Sequence, residues 1–321
     1  MTSFNRDTTG KEVVQAFAST LRGKTILITG PSIKSIGAET ALSLSHGSPS
    51  TILLLGRTES KIAPIIQQIN TINPSIAVSF IQLDLASQAS IRKTVEVINA
   101  KVEKIHYLIN CAGVMAIPDF ETTEEGIELQ FGINHVGHFL LTNLLMPKIL
   151  AAGRGARIVN VSSNGYELAG VRFDDYNFED GKVYEPWSGY AQSKTANVLF
   201  STALAQKLKS QGIQSYALQP GFVLESNLSN HVTPDMFTAA LEIMNKNSNG
   251  KKVEMEAPKT LQQGCSTALV AALDPSIEGH SGGFLQDCAV KPIEKEHAKG
   301  QENIDKLWAL SEQLVGQKFA L

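Results

Sequence analysis

Tyr190 and Lys194 stand four residues apart at the start of a long stretch of helical pattern. On a helix that spacing puts a phenol and an ammonium on one face. The pair has a chemical use. A free phenol titrates at about pH 10, and a nearby cation favours the phenolate and draws that value toward neutrality. Such a group gives a proton to a carbonyl being reduced, or takes one from an alcohol being oxidised. Upstream, Ile158–Val161 reads as a strand that runs into Ser162 and Ser163. A hydroxyl at a strand end can bond a substrate oxygen and steady developing charge, or it can simply cap the segment that follows. Asn134 falls inside a helical stretch, where Asn is disfavoured. An off-rule residue there points to a special backbone or water contact. His135 and His138 share that stretch, but no third ligand accompanies them, so no metal site is predicted.

A second group of residues suits a phosphate. Thr29-Gly30-Pro31-Ser32-Ile33-Lys34-Ser35-Ile36-Gly37 links an apolar run to a helical pattern. The backbone N–H groups of such a loop, with the helix dipole behind them, hold a pyrophosphate. Gly30 permits a tight turn and Gly37 a close helix approach, while Ser32, Lys34 and Ile36 complete the loop. A middle glycine is missing, and the loop is one residue long for its type. The next run ends in Leu55-Gly56-Arg57. An acid there would bind the ribose hydroxyls of NAD, whereas Arg suits the 2′-phosphate of NADP, and Lys34 adds a second charge. A third run ends in Leu83-Asp84-Leu85, where the carboxylate either accepts from an adenine amino group or caps the following helix.

These side chains need a frame. Candidate strands are Thr25–Thr29, Thr51–Leu55, Ala77–Gln82, His106–Asn110, Arg157–Ser162, Gln214–Leu218 and Gly283–Leu285. Helical stretches alternate with them: Ala38–His46, Glu59–Thr71, Gln88–Val102, Glu124–Leu150, Gly189–Gln211 and Pro258–Leu273. Continuous apolar strands indicate a parallel sheet covered on both faces. Repeated βα alternation indicates an α/β, doubly wound sheet of about seven strands in one domain, with ligands along one edge. Residues 224–257 break the rhythm with Pro234, three methionines (Met236, Met244 and Met255) and a polar run from Asn245 to Lys252, and read as a lid over the substrate. Phe222, Leu224, Leu228, Met236, Phe237 and Leu241 would line it, which favours an apolar or aromatic substrate. Lys11–Leu21 reads as a short amphipathic piece packed outside.

Composition narrows the function classes. The chain has 321 residues, 43% hydrophobic and 18% charged, with net charge −3. No basic field suggests nucleic acid. Cys111, Cys265 and Cys288 match no zinc or redox spacing and are expected as free thiols in a reducing compartment. Neither a secretory leader nor an apolar run long enough to span a bilayer is present, so the cytoplasm is the expected location.

Taken in order along the chain, Thr29-Gly30…Ile36-Gly37, Asp84, Asn110-Cys-Ala-Gly113, Asn134, Ser163, Tyr190-x-x-x-Lys194 and Pro220-Gly221 resemble the short-chain dehydrogenase/reductase family, over roughly residues 20–290. Phe131–Leu141, Arg157–Ser163, Ser193–Phe200 and Gly282–Cys288 resemble its retinol-dehydrogenase-like and WW-domain-oxidoreductase-like branch. The resemblance implies a Rossmann-like fold and hydride transfer between NADP(H) and a carbonyl or alcohol. It implies that Tyr190 is the acid/base, that Lys194 lowers its pKa and holds the nicotinamide ribose, and that Ser163 binds the substrate oxygen. Asn134 would hold a relay water; Asn110, Ala112 and Gly113 would line the adenosine side; Val223, after Pro220, would receive the carboxamide. The stretch between Ser163 and Tyr190 is longer than in compact members, and its extra segment Val171–Trp187 is expected beside the substrate pocket. A homo-oligomer is expected, with Glu124–Leu150 and Gly189–Gln211 pairing across a two-fold axis, unless the tail Ala298–Leu321 covers that surface. The same fold also serves non-redox isomerisation or dehydration, and a dinucleotide sensor is a third reading. A sensor has no use for the Asn/Ser/Tyr/Lys set.

Overall fold

In a computed structural model that describes residues 4–246 and 256–321, strands and helices alternate as the apolar runs require. The strands are β1 (Thr25–Thr29), β2 (Thr51–Gly56), β3 (Ala77–Gln82), β4 (Tyr107–Asn110), β5 (Arg157–Val161), β6 (Gln214–Leu218), β7 (Phe284–Gln286) and β8 (Ala289–Lys291). They form one sheet in the order β3-β2-β1-β4-β5-β6-β7-β8. All neighbours are parallel except β7 and β8, which pair antiparallel. The eighth strand is the departure from the expected seven. It has three residues and returns directly from β7 through Asp287 and Cys288, both with positive φ, so it carries too little pattern to be read in advance.

Helices cover both faces. On one lie α1 (Gly10–Ala16), α2 (Ala18–Leu21), α3 (Ile36–Ser45), α4 (Ala63–Ile72) and α10 (Leu261–Leu273). On the other lie α5 (Gln88–Lys101), α6 (Leu129–Phe131), α7 (Gly137–Ala152), α8 (Pro186–Lys207) and α11 (Gln301–Leu314). The lid helix α9 (Pro234–Lys246) crosses the strand ends and packs on Leu168, Trp187 and Tyr190. Met255 and the polar run beyond Lys246 lie outside the described residues. β1, β4, β5 and β6 are buried along their whole length, as expected of parallel strands covered on both sides. Among the described residues no helix is long and apolar enough to cross a membrane.

Two stretches behave differently from their sequence reading. The single helix expected over 124–150 is two helices joined by a π-helical turn, Gly132–Val136, which contains Asn134. The extra segment Val171–Trp187, expected beside the substrate pocket, lies away from it except at Trp187. Tyr184 Oη donates to Ile117 O and accepts from Gln130 Nε2, both at 2.8 Å, and Asn177 Oδ1 accepts from Glu128 N at 2.8 Å. Phe173 and Tyr176 pack on the α7–α8–α11 core. Of the aromatics in this segment only Trp187 reaches the cavity. Tyr184 meets Phe120 and Phe178 edge-on, with ring centroids 5.6 Å apart in each pair.

The expected two-fold pairing surface is also occupied. α11 lies over it: Trp308 meets Phe139 with ring centroids 5.0 Å apart, and Phe319 meets the same ring at 5.7 Å. His135 Nε2 and Ser311 Oγ are 2.8 Å apart, both buried. The C-terminal tail therefore covers the face that was expected to pair with a second copy.

Candidate active site

Strand order reverses between β1 and β4. In open α/β sheets that switch point, beyond the strand C-termini, is where ligands bind. A cavity of about 1210 Å³ opens there, lined from every central strand end. This exceeds the roughly 300–1,000 Å³ typical of one small ligand, and leaves room for a dinucleotide and a substrate together.

The chemical end is built from β5 and α8. α8 begins at a cap in which the Glu185 carboxylate accepts from Trp187 N and Ser188 N. One turn in, Tyr190 and Lys194 share the buried face toward β5. Lys194 Nζ donates to Val161 O at 3.1 Å, and Ser162 Oγ donates to Lys194 O at 2.8 Å. Ser162 thus anchors the helix, while Ser163 is the hydroxyl in the cavity, beside the Tyr190 phenol. Burial pushes Tyr190 up to about 12, and the hydrogen bond with Ser163 opposes it. Burial also draws Lys194 down to about 8. The ammonium stands 5.4 Å from the centre of the Tyr190 ring. The lowering of the phenol expected from Lys194 does not appear; only Ser163 opposes burial, and burial prevails, which leaves Tyr190 a protonated donor.

Asn134 is satisfied by backbone and by α8. Its Oδ1 accepts from Val114 N at 2.8 Å, and its Nδ2 donates to Val114 O and Ser193 Oγ, both at 2.9 Å. The π turn accounts for an Asn at this position, because such widened turns free backbone groups and recur at functional sites. His138, considered from sequence only as a metal ligand and rejected as one, closes a buried chain. Thr29 Oγ1 accepts from Cys111 N and Ala112 N, so its hydroxyl donates to His138 Nε2 at 2.9 Å. His138 Nδ1 then donates to Asn134 O at 3.1 Å. The loop at Ala112 and Gly113 is fixed to the π turn in this way. His135 and His138 face different partners, Ser311 and Thr29.

The nucleotide strip follows β1, β2 and β3. Gly30 has φ +72, and a Cβ on it would stand 2.7 Å from Ala112 Cα. A Cβ on Gly37 would stand 3.0 Å from Gly30 O. Ser35 caps α3 by accepting from Ala38 N and itself donates to Gly30 O at 3.0 Å. The missing middle glycine has a counterpart. Lys34 takes the left-handed conformation, φ +57, which L side chains adopt at a cost. Gly30, Ser32, Lys34, Ile36, Arg57, Asp84, Leu85, Ala112 and Gly113 all line the cavity. Asp84 Oδ1 accepts from Ala86 N, whereas the cap of α5 is Ser87.

Asn110 departs from its expected place on the adenosine side. Its Nδ2 donates to Thr142 Oγ1 at 3.0 Å and to Asn160 Oδ1 at 2.8 Å. It pins β4 to β5 inside the core and does not line the cavity. Pro220 and Val223 do line it. Their turn is held by Lys259, whose N–H donates to Phe222 O at 2.7 Å and whose Nζ pairs with Asp287 at 2.5 Å. Of the expected lid residues, Phe222, Leu228, Phe237 and Leu241 face the cavity. Leu224 is instead 60% exposed, and Met236 offers its carbonyl to Trp187 Nε1.

Several lining residues carried no signal in the sequence. Lys61 lies with Arg57, and its carbonyl accepts from Ile33 N at 3.3 Å. Gly165 lies so near Tyr190 that a Cβ would stand 2.8 Å from the ring. Gln219, Asn164 and Glu256 meet at one end of the cavity.

Comparison with known proteins agrees with this architecture. The family described as short chain dehydrogenase matches residues 24–177. Human retinol dehydrogenase 11 is 34% identical over 296 residues, covering 92% of this chain and 87% of that one. Human retinol dehydrogenase 13 is 35% identical over 298 residues, covering 93% and 86%. Among solved structures, a short chain dehydrogenase from Salmonella enterica superposes with TM-score 0.61 at 21% identity, covering 83% of this chain and 96% of that one. NADPH-bound carbonyl reductase from chicken fatty liver superposes with TM-score 0.56 at 23% identity, covering 83% and 96%. With relatives above 30% identity aligned over most of both chains, this protein belongs to the short-chain dehydrogenase/reductase family of oxidoreductases, in its retinol-dehydrogenase-like branch.

Proposed function

We propose that this protein is an NADP(H)-dependent carbonyl reductase or alcohol dehydrogenase in which Tyr190 is the acid/base. The observation that carries the reading is one cavity that joins Ser163, Tyr190 and Lys194 to a strip ending in Arg57 and Lys61. The residues fit a dinucleotide. Gly30 and Ala112 approach too closely for a side chain between them, which leaves loop backbone open to a pyrophosphate. Arg57, Lys34 and Lys61 supply positive charge for a 2′-phosphate. Lys194 reaches the floor where a ribose would lie, and Val223 borders the carboxamide position.

When bound, the nicotinamide gives or takes the hydride. Ser163 holds the substrate oxygen, and Tyr190 supplies the proton that oxygen gains on reduction, or removes it on oxidation. Lys194 contributes positive charge beneath both. The three thiols are unpaired with one another, which suits a reducing compartment, and we place the protein in the cytoplasm. Two measurements test the reading: cofactor consumption with NADPH and with NADH over a carbonyl library, and the same assay on Arg57→Ala. Arg57→Ala should weaken NADPH binding about 10-fold or more and leave NADH binding nearly unchanged. Equal affinity of the unmodified protein for NADH and NADPH would overturn the NADP assignment.

A further inference from the structure

The substrate end of the cavity has two unlike linings. The lid side is apolar, formed by Trp187, Phe237, Leu241 and Met244. The same cavity is also lined by a polar group that the hydrocarbon-lined pocket expected from the sequence does not contain. Glu256 Oε1 accepts three amide hydrogen bonds: from Asn164 Nδ2 at 2.8 Å, from Gln219 Nε2 at 3.1 Å and from Gln286 Nε2 at 3.1 Å. Asn164 follows Ser163 in the chain and Gln219 precedes Pro220. The carboxylate is thus one side chain removed from the oxygen-binding serine and from the turn at Pro220–Val223.

We propose that Glu256 is a specificity-determining residue that accepts a hydrogen bond from a donor group on the substrate, next to the reacting carbonyl. Glu256 and Asn164 both line the cavity. The three amides converge on one oxygen, and among the described residues nothing donates to the other, Oε2. The Asn164 amide is oriented by its donation to Glu256, so its Oδ1 is the free end, and that atom is buried without a partner. The Glu256 carboxylate therefore brings to the cavity an acceptor oxygen that no described residue occupies. A carboxylate so fixed by three amides is preorganised, and a site built to bond a hydroxyl discriminates strongly against an analogue without one. A buried acceptor left unmatched by a plain hydrocarbon substrate is costly. The substrate class is a carbonyl compound, or its alcohol, that carries a neighbouring hydroxyl or amine and an apolar remainder that meets the lid.

This inference rests on the cavity's being a carbonyl/alcohol site, and its test separates the two. Three aryl ketones differ in one group beside the carbonyl: propiophenone (methyl), 2-hydroxyacetophenone (hydroxyl) and 2-aminoacetophenone (ammonium). Their binding to the NADP-saturated protein is followed by quenching of tryptophan emission, since Trp187 lines the cavity, and their turnover is followed by NADPH absorbance. The hydroxy ketone, the amino ketone or both should bind about 10–100-fold tighter than the methyl ketone. The two polar arms show which donor is preferred. In Glu256→Gln, which keeps the size and loses the charge, that preference should collapse, with methyl-ketone binding and NADP affinity held within about 3-fold. Unchanged NADP affinity shows that the variant is folded. Preference in binding without turnover would leave this inference standing while the redox reading failed. Equal binding of all three compounds to the unmodified protein, or a preference that survives in Glu256→Gln, would overturn it.

Discussion

Tyr190 is a buried phenol whose proton is held at about 12, so at neutral pH it is ready to donate and reluctant to accept. Tyr190→Phe removes only the hydroxyl. Turnover should fall about 10²–10⁴-fold while NADP affinity persists, and near-normal turnover in this variant would reject the acid/base assignment. Lys194 sets the alkaline limit. Burial lowers its pKa from 10.5 to about 8, so the ammonium is lost as pH rises through that value. Carbonyl reduction, measured as kcat/KM, should be level below pH 8 and decline above it, although the phenol stays protonated. The same shift bears on stability. The folded state binds this proton less tightly than the unfolded chain, so the buried charge costs stability below about pH 8, and the cost fades as pH rises toward 10.5. Lys194→Met keeps the apolar stem and removes the charge. It should abolish activity and raise stability by something on the order of 1 kcal/mol, roughly 2–4 °C in Tm. A lower Tm in Lys194→Met would show that the ammonium stabilises the fold.

At the scale of elements, the turn after β5 is the sensitive joint. Gly165 donates its N–H to Ser163 Oγ at 3.0 Å, and its bare Cα lets the Tyr190 ring lie against it. Gly165→Ala should displace the ring and lower kcat by about 10²-fold, with NADP affinity intact; an unaffected kcat would mean that the ring yields without consequence. The strand ends could be read from sequence because each is a continuous apolar run finishing in a small or polar residue, as at Thr29-Gly30 and Val161-Ser162. Tyr190 and Lys194 were legible because both lie on one helix. Glu256 was not, since its partners Asn164, Gln219 and Gln286 come from three distant parts of the chain. Asn110 looked like a ligand residue because of the motif around it, but only the packed strands reveal Thr142 and Asn160 as its partners. Apart from Trp187, which does line the cavity, the segment from Val171 to Trp187 was misplaced for a similar reason. Its aromatics declare that it packs, and not upon what.

For the molecule as a whole, the governing feature is α11. Trp308, Ser311 and Phe319 cover Phe139, Phe200 and His135 on α7, α8 and the π turn. Light scattering of the full chain at micromolar concentration should report a monomer. Deletion of residues 301–321 should uncover those rings and produce dimers or aggregates. A full-length dimer that persists in Trp308→Ala would show that some other face associates. The covering helix has a further consequence. A fold whose apolar face is finished by a partner subunit is stabilised by mass action, and it loosens on dilution. Here the covering segment is tethered to the face it covers, so its effective concentration is set by the chain and not by the solution. Melting should occur at one temperature from nanomolar to millimolar protein, and a single molecule alone in a large volume should keep its fold.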